Sequence, residues 1–130
     1  MTELAYLDAS ALVKLIVEEA ESAALNRWYV EARRLATSRI GIIETSRASS
    51  RRPCDPVHRD RILSDVEVLD LDPRLAAVAA ALEPPILRTL DAIHLATAMA
   101  LMPDLDAFVT YDDRMADAAR SVGLPVVRPA

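Results

Sequence analysis

Cysteine is almost missing from this chain: Cys54 is the only one in 130 residues. That excludes an intrachain disulfide and a cysteine-built zinc site. Histidine occurs twice, at His58 and His94, so a nitrogen-and-sulfur metal cage has too few donors. No apolar run reaches the roughly 18 residues that a membrane span requires. The first residues lack a basic region leading into an apolar stretch, so no export signal is read and the expected location is the cytoplasm. Lysine is nearly absent too, with Lys14 the sole example. Internal repeats, low-complexity tracts and linkers are not found, which at this length points to one domain over 1–130.

What is present is a globular composition, 52% hydrophobic and 27% charged. The net charge of −5 argues against a general nucleic-acid coat protein, but the charge is uneven. Residues 1–21 carry one base against five acids, and residues 66–130 carry five bases against ten acids. Between them, residues 22–65 hold nine arginines and five acids. Arg33, Arg34, Arg39, Arg47, Arg51, Arg52, Arg59 and Arg61 therefore form either a phosphate-facing surface or a solvated helical face.

The patterning alternates strands with helices. "ELAYL" (3–7) is a short strand, and "ASALVKLIVEEAESAALNRWYVEARR" has helical spacing, as two helices meeting near Glu21–Ser22. "LATS" (35–38) is a second strand leading into the helix "IGIIETSRASSRR". Pro53 and Pro56 mark a break before the helix "VHRDRILSDV". "VEVLDL" (66–71) alternates as a strand, and Pro73 opens the helix "RLAAVAAALE", which Pro84 and Pro85 stop. "LRTLDAIHLATAMALM" (87–102) follows, then the strand "AFVTY" (107–111), the helix "DDRMADAARSV", Gly123 as its cap, and the strand "PVVR". Strands separated by helices predict an α/β fold with a mostly parallel sheet covered on both faces.

The 87–102 helix poses the sharpest question. Leu95, Ala98 and Met102 project within about 40° of Asp91, and other apolar residues fill the remaining faces, so the helix is expected to be interior. A lone ionised carboxylate there costs several kcal/mol and needs a partner or a proton. In open parallel sheets functional groups collect at the carboxyl ends of strands. Asp8 ends the first strand, Asp112 and Asp113 follow the fourth, and Glu44 lies in the helix after the second. Each has a plainer reading. Asp8 and Asp112 can be helix N-caps; Glu44 can pair with Arg47 on its own helix; Asp91 can offset the helix dipole, with Thr89 as the cap. His94 reads as a packed or hydrogen-bonded helix residue and His58 as an exposed one. Taken together, four carboxylates in one cleft would either take up protons or hold a divalent cation. Oxygen-only ligands suit Mg²⁺ or Mn²⁺.

"YLDASALVKLIVEE", "SRIGIIETSRASSRR", "RTLDAIHLATAMAL" and "FVTYDDRMADAARSVGL" resemble, in order, the four acidic motifs of PIN-domain proteins, and more narrowly of the VapC toxins of VapBC toxin–antitoxin pairs. The resemblance spans essentially the whole chain. It implies a PIN-like three-layer α/β/α sandwich, a Mg²⁺-dependent endoribonuclease, a homodimer, and silencing by a VapB-type antitoxin. Carried over by motif, Asp8, Glu44, Asp91 and Asp112 form the catalytic acids; Asp8, Asp91, Asp112 and Asp113 are the metal ligands; and Ser10 and Thr110 match small polar positions that support such sites. Arg47 and Arg51 are the expected RNA contacts. The reaction is then metal-assisted hydrolysis of an RNA phosphodiester. Two competing readings are a receiver-like Mg²⁺-binding phosphoacceptor domain and a non-catalytic partner-binding module. The first wants a lysine beside an acceptor aspartate on a late strand, and Lys14 lies in the first helix.

Overall fold

Aspartate and serine side chains start most of the helices. The computed structural model describes residues 2–130. Its elements are β1 (Leu4–Leu7), α1 (Ala9–Ile16), α2 (Ser22–Tyr29), β2 (Arg34–Ser38), α3 (Arg39–Ser49), α4 (Pro56–Ser64), β3 (Glu67–Leu69), α5 (Pro73–Ala81), α6 (Thr89–Met99), β4 (Ala107–Val109), α7 (Asp113–Ser121) and β5 (Val126–Val127). Asp8, Ser38, Asp55, Asp72 and Asp112 each accept a backbone N–H from the first turn of the helix that follows. Pro56 and Pro73 begin α4 and α5, where a missing N–H costs nothing. Past the end of α7, Gly123 takes φ 83°, a conformation that side-chain-bearing residues rarely adopt.

The five strands form one sheet in the order β3-β2-β1-β4-β5, and every pairing is parallel. The expected "mostly parallel" sheet is thus wholly so. The chain builds outward from β1 through β2 to β3, then returns to lay β4 on the other side of β1. This reversal opens a crevice at the carboxyl ends of β1 and β4, where α/β sheets place their sites.

Alternation along β1 sends its side chains to two cores. Ala5 and Leu7 join Leu12, Leu15, Leu25, Leu35 and Ile62 on one face. Leu4 and Tyr6 join Leu95, Phe108, Met115 and Leu124 on the other. Helices α1, α2 and α4 cover the first face, and α6 and α7 the second.

α6 is less enclosed than its apolar composition implies. Ala92 through Ala98 are buried, but Leu90 is 44% exposed and Met102 41% exposed. The helix ends at Met99, so Met102 lies in the turn beyond it. Asp91 is half-buried because it sits in the first turn, at the uncovered carboxyl edge of the sheet. Arg88, not Thr89, holds the N-cap position, and it gives no side-chain cap. The strands also stop short of their expected ends: β3 closes at Leu69 and β4 at Val109.

α3 lies across this edge, against α1 and α6. Gly41 permits that approach. A Cβ there would stand 2.3 Å from Thr37 Oγ1 and 3.1 Å from His94 Cε1. Thr37 is β-branched and fully buried, so it has little room to turn away. Gly41→Ala should therefore destabilise the protein by about 1–2 kcal/mol, because overpacking outweighs the helical preference of alanine. Urea denaturation checks this; a stabilised variant would contradict the packing.

Candidate active site

Asp8 is only 3% exposed, and its carboxylate organises two chain ends at once. Oδ1 accepts the Ala11 N–H at 3.1 Å, which caps α1, and the Ser10 hydroxyl at 2.6 Å. Oδ2 accepts the Thr110 hydroxyl at 2.5 Å. Each hydroxyl also works as an acceptor. Ser10 Oγ takes the Tyr111 N–H at 2.8 Å, and Thr110 Oγ1 takes the Asp112 N–H at 3.1 Å. Two hydroxyls thereby stitch the end of β1 to the end of β4, which fixes Asp112 relative to Asp8. Burial pushes the Asp8 carboxyl above its ordinary range, and the two hydroxyl bonds partly offset that. Three bonds leave one acceptor position on Oδ2 for a further partner.

Asp112 caps α7, with Oδ1 accepting from Arg114 N at 2.9 Å and Met115 N at 3.2 Å. Asp91 comes from the first turn of α6. Burial raises its carboxyl first, and the Asp112 carboxylate second; Glu44 adds to the rise, while His94 and Arg88 oppose it. Asp91 therefore feels the charges of Asp112 and Glu44 at the same sheet edge.

Glu44 does not pair with Arg47. Its Oε1 meets Nε2 of His94 at 2.7 Å, a contact from α3 to the buried centre of α6. Nδ1 of His94 in turn meets the Tyr6 hydroxyl at 2.6 Å. Tyr6 carries no signal in the sequence beyond its place in an apolar strand. His58 is not the exposed residue expected: half-buried, it meets the Leu15 carbonyl through Nε2 at 2.7 Å.

Asp113 stands apart from the other acids. Its side chain is 88% exposed and pairs with Arg128 Nη1 at 2.7 Å, while Arg128 Nε donates to the Thr110 carbonyl. The arginine-rich middle third is also less available than its sequence suggests. Arg33, Arg34, Arg39, Arg52 and Arg59 are each ion-paired with an acid. Arg47 and Arg51 form no ion pair among the described residues, and both line a groove of about 690 Å³ with Ser10, Lys14, Glu44 and Tyr111.

The donor set suits a hard divalent cation: all oxygen, net negative, and with burial disfavouring the Asp8 and Asp91 anions. Among the described residues, no three acid, histidine or cysteine side chains stand close enough to hold an ion together. The acids thus form an open arrangement with compatible chemistry, in which Asp8, Asp91 and Asp112 would supply the oxygens. Lys14 is bound to Glu19 at 3.3 Å and Glu21 at 2.9 Å, which removes it as the lysine of a phosphoacceptor site.

With this geometry in hand, comparison with known proteins is direct. The PIN domain family matches residues 5–121. Ribonuclease VapC46 of Mycobacterium tuberculosis is 43% identical over 131 residues, covering 96% of this chain and 97% of that protein. The crystal structure of Mycobacterium tuberculosis VapC20, described as a sarcin-ricin loop cleaving toxin, superposes with a TM-score of 0.72 at 18% identity, covering 96% of this chain and 99% of the other. VapBC2 from Rickettsia felis, solved with a DNA fragment from its promoter, gives 0.70 at 17% identity, covering 98% and 99%. Those two structures bear on the fold, whereas the sequence match carries kinship. The chain belongs to the PIN-domain family, within its VapC ribonuclease branch.

Proposed function

We propose that this protein is a Mg²⁺-dependent endoribonuclease, the toxin of a VapBC pair, which hydrolyses RNA phosphodiester bonds. The observation that carries the reading is Asp91, raised by burial and by the neighbouring charges of Asp112 and Glu44, beside the buried Asp8. A protein that needed these residues only as helix caps would have no use for charges that oppose one another, which disfavours a purely partner-binding module.

Asp8, Asp91 and Asp112 would hold Mg²⁺, with Mn²⁺ as a substitute; Asp113 is a lesser candidate because Arg128 engages it. When bound, the cation polarises a phosphate oxygen and acidifies a water. The protein's own part is to place and to gate. Without a cation the acids repel phosphate, so RNA affinity and metal affinity rise together. Glu44 faces the groove from α3, and Arg47 and Arg51 draw the strand along it. Single-stranded or looped RNA fits best, because its bases are open to contact. The decisive experiment incubates purified protein with total RNA in Mg²⁺ and in EDTA and maps the cut sites. Cleavage that survives EDTA unchanged would refute metal dependence.

Arg47→Ala and Arg51→Ala should each weaken RNA binding and lower the salt slope, by about 0.7 per lost single-strand phosphate contact. Binding to a catalytically dead variant at several salt concentrations measures this; unchanged slopes would remove both arginines from the RNA path.

A VapB-type antitoxin is the proposed partner and the cytoplasm the proposed place of action. The neutralising gene should lie beside this one, and its co-expression should restore growth. A homodimer is proposed too. α5 buries no residue of its own and leaves Val78 exposed, with Leu71 just before it, an apolar surface that a second copy could cover. Light scattering of the purified chain decides between monomer and dimer.

A further inference from the structure

His94 is buried at the centre of α6, yet its ring is bonded at both nitrogens. Nε2 faces a carboxylate, which only accepts hydrogen bonds, so Nε2 carries a proton. The Tyr6 oxygen accepts the Ser38 backbone N–H at 3.1 Å, leaving the phenol proton to be aimed at Nδ1. Burial raises the Tyr6 phenol, so that proton stays in place. Tyr6 is itself clamped: its ring stacks on Phe108 at 5.4 Å and meets the His94 ring edge-on at 5.8 Å. Both ring nitrogens are satisfied when Nε2 carries the proton and Nδ1 accepts from the phenol.

We infer that Tyr6 and His94 are positioning residues for Glu44, forming a rigid relay from the end of β2 through the core to the acidic edge. The relay starts at a backbone amide, passes through two buried rings, and ends on Glu44 Oε1. It fixes one carboxylate oxygen and leaves the other, Oε2, for the groove that Glu44 shares with Ser10 and Arg47. Gly41, three residues before Glu44, brings α3 close enough for the carboxylate to reach the ring. A free glutamate on an exposed helix samples several rotamers, whereas this one is pinned from beneath. Outer partners of this kind hold a reacting group in register without touching substrate.

The kinetic half of the test rests on the ribonuclease reading; the spectroscopic half does not. In protein labelled with ¹⁵N-histidine, the His94 proton should reside on Nε2, and Tyr6→Phe should shift the Nδ1 resonance by removing the donor that Nδ1 accepts from. In RNA cleavage, His94→Phe should lower kcat by about 10–100-fold, as loss of such outer partners does, with KM within about threefold of wild type. His94→Gln, whose amide can still donate to Glu44, should recover most of the loss. Tyr6→Phe keeps the core volume, so it reports on the relay even if His94→Phe folds poorly. An Nδ1–H tautomer in the wild type would overturn the inference. So would equal loss of kcat in the Gln and Phe variants, or a Tyr6→Phe protein unchanged in both the Nδ1 resonance and kcat. If the wild type cleaves no RNA, the ribonuclease reading fails and the nitrogen shifts alone decide the relay.

Discussion

Asp91→Asn should give a folded, slightly more stable protein that no longer cuts RNA. The side chain is nearly isosteric, so packing at the start of α6 is kept while the charge is removed. Cleavage should fall by on the order of 10³-fold, equivalent to about 4 kcal/mol of barrier, because a charged ligand of the proposed cation is lost. Stability should move the other way. The folded state holds the Asp91 carboxyl above its ordinary range, through burial and the neighbouring Asp112 carboxylate. A carboxyl raised in this way binds more protons folded than unfolded, so its penalty appears as pH rises through its folded pKa and is absent below the unfolded one. At neutral pH the metal-free variant should gain under about 1 kcal/mol, allowing for solvent screening of a half-exposed group. That corresponds to a melting temperature higher by about 2–4 °C. The gain should shrink as pH is lowered toward 4, where the wild-type carboxyl takes up its own proton. Melting curves with and without the substitution, across that range, measure it. A sharp fall in melting temperature would make Asp91 a structural residue instead.

Asp8 should separate into two functions under two substitutions. Asp8→Ala removes the cap of α1 and strands the hydroxyls of Ser10 and Thr110, which lose their shared acceptor. Loss of a cap costs about 1 kcal/mol, and each buried polar group left without a partner costs about 1–3 kcal/mol. Relief from burying a carboxylate returns part of this, leaving a net loss of about 2–3 kcal/mol. Asp8→Asn keeps an oxygen for Ser10 and Ala11 and should lose less than half as much. Both should be equally inactive on RNA, down by on the order of 10³-fold. Equal activity loss with unequal stability loss is the signature expected. If the asparagine variant retains substantial activity, Asp8 serves the fold alone.

The order of elements and the parallel sheet were legible because periodicity and proline placement report local structure. The positions of the acids just after strands were legible for the same reason. The neighbours of each strand were not. Nothing in "ELAYL" says that β1 lies between β2 and β4, since an apolar strand buried on both faces is uniform along its edges. Long-range pairings were equally hidden. Tyr6 and His94 are 88 residues apart, His94 and Glu44 50 apart, and neither pair has a spacing that sequence periodicity can detect. The pairing of the arginine patch was hidden for a related reason: five of its eight members find acids, and Arg39 reaches Asp70 on a separate connection. Asp91 looked interior because helical projection counts residues around an axis and ignores where the helix ends.

The stitch between Asp8 and Thr110 spans 102 residues, so Asp8 leaves the ribosome long before its partner just past β4. A nascent chain that has not yet released β4 has the residues of the Tyr6–His94–Glu44 relay but lacks Asp112 and the Thr110 hydroxyl that ties Asp8 to it. A competent nuclease therefore cannot assemble beside the ribosome that makes it until β4 and Asp112 have emerged. A chain truncated ahead of Thr110 should be harmless for the same reason.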